Sequence, residues 1–375
     1  MIANRRWPDA LRDALLRRER SVLVAVALAS GSTPREAGAA MVVTPTGLAG
    51  TIGGGHLEFE AVRLAREALA TRATGAWAVR FPLAARLGQC CGGVATLVFA
   101  VVDDAGASWL DVVDGCQRAA LACGVVTRLA ADGAGRLVVT LDDARGTLGD
   151  AALDSAAIVE ARRRLGDERA GTGLAEAGGQ ALFVHVVRPF AFHVRVFGNG
   201  HVGRALVQVL GALPADVAWV DTREHDFPDG VPGNVQVVAT DDPTAEVACA
   251  PRGAYLVVMT HSHALDFDIV EAALGRDDWR YVGLIGSKAK RAQFGRRLAQ
   301  RGWPADALAR VTCPIGATLA GKEPGVIAVG IAAELLALRE QAAREAGAGA
   351  GLGATVPIGA RMRALLPRPD TDPAS

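Results

Sequence analysis

The 375-residue chain is poor in the features that mark several large classes of protein. Its six cysteines are too few and too scattered for the disulfide framework of a small secreted domain, and no two stand in C-x-x-C spacing. That spacing rule disfavours both a zinc ribbon and a thioredoxin-like pair. An excess of charge is also lacking, since 40 basic residues balance 40 acidic ones. No overall field attracts a polyanion and no Lys/Arg run follows the pattern of a nucleic-acid module, so DNA and RNA are not expected partners. Apolar runs fall short of the roughly 20 residues that a bilayer-spanning helix needs, so no membrane association is expected. The stretch "RRERSVLVAVALASGS" imitates a secretory signal, but Asp9, Asp13 and Glu19 accompany Trp7, Leu11, Leu15 and Leu16 at helical spacing. That pattern predicts an amphipathic helix feeding a buried strand, hence a cytoplasmic protein with reduced thiols. No repeat of fixed period is visible along the sequence.

What is present favours folded cores. Half of the residues are apolar and 21% are charged, and the length predicts two domains. Residues 1–190 read as a mixed α/β domain. Val/Ala/Leu/Thr-rich strands are expected at 21–30, 39–45 and 94–102, with an amphipathic helix from His56 between them. The signal softens over 104–190, where strands at 124–130 and 136–141, a helix near 151–165, a Gly/Ala-rich loop at 170–180 and a strand at 181–187 are expected. Residues 191–345 alternate strand and helix, which predicts a Rossmann-like, doubly wound parallel sheet. The Gly/Ala/Pro-rich tail at 346–375 is expected to be disordered.

Candidate binding residues cluster at turns. Gly198, Gly200 and Gly203 form G-x-G-x-x-G between an apolar strand and an apolar-periodic helix that starts near His201. The first glycine allows a tight turn, the second lets backbone approach a phosphate, and the third lets helix pack on strand. Asp221 ends the next strand, where a carboxylate can bond ribose hydroxyls. Thr260, His261, His263 and Asp266 follow the strand "YLVVM" and suit either an anionic ligand and proton transfer or merely a capped turn that starts a helix at Asp266. Gly286, Ser287 and Lys288 repeat the anion-seeking pattern one strand later. In the first half, "GSTPREAG" carries Ser32, Thr33 and Arg35, while Gly53, Gly54 and Gly55, just ahead of His56, clear side chains from a helix start and invite a bulky ligand or its phosphate.

"LGQCCGG" places Gln89, Cys90 and Cys91 together between glycines. Adjacent cysteines resist bridging to each other. Two readings remain: small buried hydrophobes, or thiolates offered to a soft metal or to a sulfur atom. Cys313 joins them only if the fold brings it close, and Cys116, Cys123 and Cys249 read as structural.

Taken together, "GSTPREAGAAMVV", "GTIGGGHLE", "GQCCGG", "VFGNGHVGRAL", "VVMTHSHALD", "YVGLIGSKAKRAQF" and "CPIGATLAGKEPGVIAVGIAAEL" resemble, in order, the xanthine dehydrogenase accessory proteins of the XdhC/CoxI type. The resemblance implies a protein that binds molybdenum cofactor (molybdopterin), shields it from oxidation and supports its sulfuration. It further implies a cysteine desulfurase as partner and delivery to xanthine dehydrogenase or a related molybdenum hydroxylase. Assembly into a homo-oligomer is left open by the sequence. A maturation factor without turnover is the expectation. The alternative is an NAD(P)-dependent oxidoreductase built on Gly198–Gly203, with His261 or His263 as proton donor.

Overall fold

The computed structural model describes residues 7–83, 92–103, 108–119, 121–133, 135–167, 170–189, 192–224, 227–316 and 321–347. The chain divides into two compact units between Pro189 and Phe190.

The first unit is a tandem duplication. Its first copy runs α1 (Trp7–Leu16), β1 (Ser21–Ser30), β2 (Ala40–Val43), β3 (Leu48–Gly50), α2 (Gly55–Ala70), β4 (Ala76–Pro82) and β5 (Val94–Val102). Its second copy runs α3 (Ser108–Arg118), β6 (Cys123–Arg128), β7 (Arg136–Val139), β8 (Ala144–Thr147), α4 (Ala151–Gly166), β9 (Gly173–Ala177) and β10 (Gln180–Val187). Each copy forms a five-stranded antiparallel sheet with the same strand order, β3-β2-β1-β5-β4 and β8-β7-β6-β10-β9. Even the turn chemistry repeats. Gly47 N donates to Thr44 Oγ1 in one hairpin and Asp143 N donates to Thr140 Oγ1 in the other, at 2.8 and 2.9 Å.

The repeat has no fixed sequence period and shows in the strand order. The two copies share the type of residue at core positions rather than its identity, because burial demands an apolar side chain of about the right size and not one particular residue. The loop expected at 170–180 is corrected: Gly173–Ala177 is strand β9, paired to β10. Its Gly/Ala content hid a strand whose partner supplies the pairing.

Two faces of the sheets carry helices. Leu57, Ala61 and Ala65 of α2 pack on Val22, Val24 and Val26, while Leu153, Ala157 and Ala161 of α4 pack on Val126, Leu182 and Val184. The remaining faces meet through small residues, with Ala25, Ala27, Ala78 and Ala100 against Leu129, Leu174 and Phe183. The helices α1 and α3 close a shared core, where Trp7 stacks on Trp109 at 5.9 Å between ring centroids and Arg12 bridges to Asp111 and Asp114.

The second unit is a parallel sheet of order β13-β12-β11-β14-β15, built from β11 (His193–Phe197), β12 (Asp216–Asp221), β13 (Val235–Ala239), β14 (Tyr255–Val258) and β15 (Tyr281–Leu284). The first strand lies centrally, so the chain winds outward in both directions, as in a Rossmann-like domain. Period-two alternation sorts each strand between two cores. Val217, Trp219, Tyr255 and Val257 meet α5 (His201–Gly211) and α9 (Pro324–Gly347) on one face. Ala218, Val220, Leu256 and Val258 meet α6 (Pro243–Ala248), α7 (His263–Leu274) and α8 (Lys288–Gln300) on the other. The expected tail from 346 lies outside the described residues beyond Gly347.

Candidate functional site

In the second unit, the carboxyl ends of β11, β12, β14 and β15 carry the predicted turns. Gly198 has φ +123, and a Cβ there would overlap the Met259 carbonyl. A Cβ at Gly203 would overlap the Gly198 carbonyl oxygen, so close packing of α5 on β11 requires glycine at both places. Gly200 is the N-cap of α5 and supplies no side-chain cap. Gly200 and His201 are exposed, and the α5 amides follow directly.

Asn199 knits this turn to its neighbours. Its N–H donates to Asp221 Oδ2 at 2.6 Å, and Arg204 Nε donates to its carbonyl and to Oδ1 at 3.3 and 3.0 Å. Asn199 is 2% exposed, and its Nδ2 finds no partner. Asp221 is buried too, and its oxygens receive further bonds from Arg223 N and Nε (3.0 and 2.9 Å, to Oδ1) and from Arg223 Nη2 (3.0 Å, to Oδ2). Burial opposes the charge on Asp221, but the Arg223 fork and the two amides outweigh it and hold the carboxyl below its ordinary pKa.

The β14 and β15 turns are locked together beneath the surface. Asp266 is fully buried; its Oδ1 accepts from Thr260 N at 2.8 Å and its Oδ2 from Lys290 Nζ at 2.5 Å. Lys290 also donates to the Ile285 carbonyl at 3.0 Å. The helix does not start at Asp266: α7 begins at His263, and Ser262 is its N-cap, accepting from Leu265 N. Asp266 therefore acts as an internal pin. His261 and His263 stay exposed on the rim. Gly286, Ser287 and Lys288 are exposed as well, and the Ser287 hydroxyl caps α8 by accepting from Lys290 N at 3.3 Å. The Cys313 thiol lies 4.0 Å from the Ser287 carbonyl, and burial pushes its pKa up. Tyr281 donates to Glu334 Oε1, whose Oε2 accepts from Gly316 N, at 2.7 and 2.9 Å.

In the first unit, three of the quoted motifs converge. A Cβ at Gly53 would overlap Pro34, and Gly93 N donates to the Ser32 carbonyl at 3.1 Å. Leu83 N donates to the Gly93 carbonyl at 3.0 Å, on either side in sequence of Gln89, Cys90 and Cys91. These three residues lie outside the described residues. Gly53, Gly54 and Gly55 all have positive φ (+119, +73 and +64), and Gly54 is the N-cap of α2, without a side-chain cap. Glu58 is the residue that sequence reasoning missed. Its Oε2 accepts from Thr51 Oγ1, Ile52 N and Gly54 N at 2.6, 3.0 and 3.1 Å, so a carboxylate of the chain already holds part of this donor set. The signal was its place in the first turn of α2, where an acid meets orphan amides.

Among the described residues, no group of three or more His, Cys, Asp or Glu side chains is arranged to hold a metal ion. Cys116 and Cys123 are buried in the shared core, and Cys249 is exposed. No helix among the described residues is long and apolar enough to cross a membrane.

A mixed α/β unit followed by a Rossmann-like unit with a glycine turn is the class of protein that this architecture defines. Within it, residues 14–82 match the model of the XdhC and CoxI family, and residues 194–335 match that of the XdhC Rossmann domain. Both units therefore carry domains of the XdhC/CoxI family. A crystal structure from Bacillus halodurans, described as a xanthine dehydrogenase, shares the fold with a TM-score of 0.65 at 20% identity, over 89% of this chain and 96% of that one. The uncharacterized protein YqeB of Escherichia coli (strain K12) is 27% identical over 185 residues. That match takes in 48% of this chain and 32% of YqeB, so the chain spans about a third of that relative's length.

Proposed function

We propose that the chain is a maturation factor for a molybdenum hydroxylase, binding molybdenum cofactor, supporting its sulfuration and handing it to xanthine dehydrogenase or a related enzyme. The observation that carries this reading is the presence of XdhC/CoxI-family domains in both units. The residues present suit the cofactor's chemistry. Its phosphate matches the Gly198–Gly203 turn, with the α5 amides and the flanking Arg204 and Arg223. Its molybdenum is held by the pterin's own sulfurs, so a protein with no three-residue metal cluster among its described residues is no obstacle. Cys90 and Cys91 supply reduced thiols for the metal or its incoming sulfur, and Gln89 supplies an amide beside them. Gly53–His56 offers a glycine-rich helix start in the first unit. In this reading a cysteine desulfurase is the sulfur donor.

The test is to purify the protein from cells making molybdenum cofactor and to identify what accompanies it. Oxidised pterin fluorescence in the extract is expected. A nicotinamide nucleotide without pterin would favour the oxidoreductase reading, and a protein that stays empty and fails to restore hydroxylase activation in a strain lacking it would remove the proposal.

A further inference from the structure

The end of β12 contains a departure from the dinucleotide-binding pattern. In that pattern the acidic residue after the second strand accepts hydrogen bonds from a ribose diol. Here the Asp221 carboxylate is spent inside the protein. Four donors reach it, two to each oxygen, from Asn199 N and from Arg223 N, Nε and Nη2. A carboxylate has about four lone-pair sites, so nothing remains for a sugar hydroxyl. The Asp221 side chain is only 2% exposed, whereas that of Arg223 is 38% exposed. The group that this strand end shows to a ligand is thus a guanidinium oriented by a buried carboxylate.

A second guanidinium belongs to the same turn. Arg204 bonds Asn199, whose N–H bonds Asp221, so both arginines belong to one hydrogen-bonded chain across the turn. The start of α5 lies within it, uncapped by any side chain. The Asn199 amide nitrogen is a buried donor without a partner in the same turn. Two guanidiniums, one of them paired to a buried carboxylate, and a helix start thus border the turn. A guanidinium matches the oxygens of a phosphomonoester through paired N–H donors and offers a neutral diol no acceptor.

We propose that the Gly198–Gly203 turn with Arg204 and Arg223 is a seat for a phosphomonoester and discriminates against a free ribose diol. This rests on the reading above and deepens it. The same chemistry is carried by two sources, the terminal phosphate of the pterin and the 2′-phosphate of an adenine dinucleotide, and the experiment separates them.

In one arm, the full-length protein is titrated calorimetrically with NADP+ and with NAD+. In the other, pterin is released from protein purified out of cofactor-making cells and counted per chain. Both arms use the wild type, Arg223→Ala and Arg223→Lys; the lysine variant keeps a partner for Asp221 where alanine strands a buried carboxylate. A preference for NADP+ of about tenfold or more, collapsing in Arg223→Ala, supports the seat with a nucleotide as its source. A pterin load that falls about fivefold in Arg223→Ala and partly returns in Arg223→Lys supports it with the pterin as source. If Arg223→Ala does not fold, Arg223→Lys and the wild-type ratio decide. NAD+ bound as well as NADP+, or no dinucleotide bound, together with a pterin load indifferent to Arg223, overturns the seat. Wild-type protein without pterin refutes the maturation reading instead, so the two failures are told apart.

Discussion

The two copies within the first unit share one skeleton and differ at one end. In the second copy, β9 and β10 are joined through Gly178 and Gly179, and α4 starts at Asp150, whose side chain accepts from Leu153 N at 2.8 Å. In the first copy, the corresponding strands β4 and β5 are joined by residues 83–93, and α2 starts at Gly54, which has no side chain to offer. The pin behind each helix start is kept: Thr51, Ile52 and Glu58 are matched by Thr147, Leu148 and Asp154 with the same bonds. Where copies of one module diverge, the part retained is what the fold needs, and the part elaborated is free for another task. The elaborated part takes in Gly53–His56 and the stretch of sequence that contains Gln89, Cys90 and Cys91.

That contrast can be broken or sharpened by substitution. Gly53→Ala meets both an unfavourable φ and an overlap with Pro34, and is expected to cost about 3 kcal/mol or more, read as a shift in the urea midpoint. The equivalent Gly149→Ala has φ +96 but open space around its Cβ, and should cost only about 1–2 kcal/mol. Equal costs would mean that the Pro34 contact is not what fixes the first turn.

The copies also differ on their β5 and β10 strands. Ala100 stands opposite Leu23 in one sheet, and His185 stands opposite Val125 in the other. His185 is buried, stacks on Trp7 and bonds the Gly38 carbonyl through Nε2 at 3.1 Å. Burial lowers its pKa to about 4, against the opposing effect of the Gly38 bond. The unfolded chain takes up the proton first as pH falls below the ordinary value near 6.5. Stability is therefore complete above about pH 6.5 and declines towards pH 4, by about 3 kcal/mol. Denaturation series at several pH values should show this slope in the wild type and lose it in His185→Leu, whatever that variant's stability at neutral pH.

Glu58→Ala removes an acceptor from three donors and Asp154→Ala removes one from two. About 2–3 and 1–2 kcal/mol are expected, measured by thermal unfolding, and the reverse order would show that the retained pins are not equivalent. Smallest of all, Asp150→Ala should cost about 1 kcal/mol through loss of the α4 cap, a loss that has no counterpart at Gly54.

Much of the second unit was legible because β12, β14 and β15 are buried nearly throughout and its glycine turn falls between a clear strand and a clear helix. The positions of His261, His263 and Ser287 on the strand-end turns followed from that alternation. What could not be read were pairings that only folding creates: Asp266 with Lys290, Asp221 with Arg223, and Glu58 with the amides ahead of it. In each, a polar residue suited to a ligand instead satisfies a backbone group or a charge of the protein itself. The duplication escaped notice because loops of unequal length shift one copy against the other, while the substitutions preserve apolar character alone.

The elaborated end of the first copy is proposed to handle the cofactor, with the second copy as scaffold. Pterin per chain, measured in protein purified from cofactor-making cells, tests it most directly. Replacing Cys90 and Cys91 by Ala should lower the load about fivefold or more, whereas Asp150→Ala should leave it unchanged. Equal loads in the wild type and in both variants would contradict the claim.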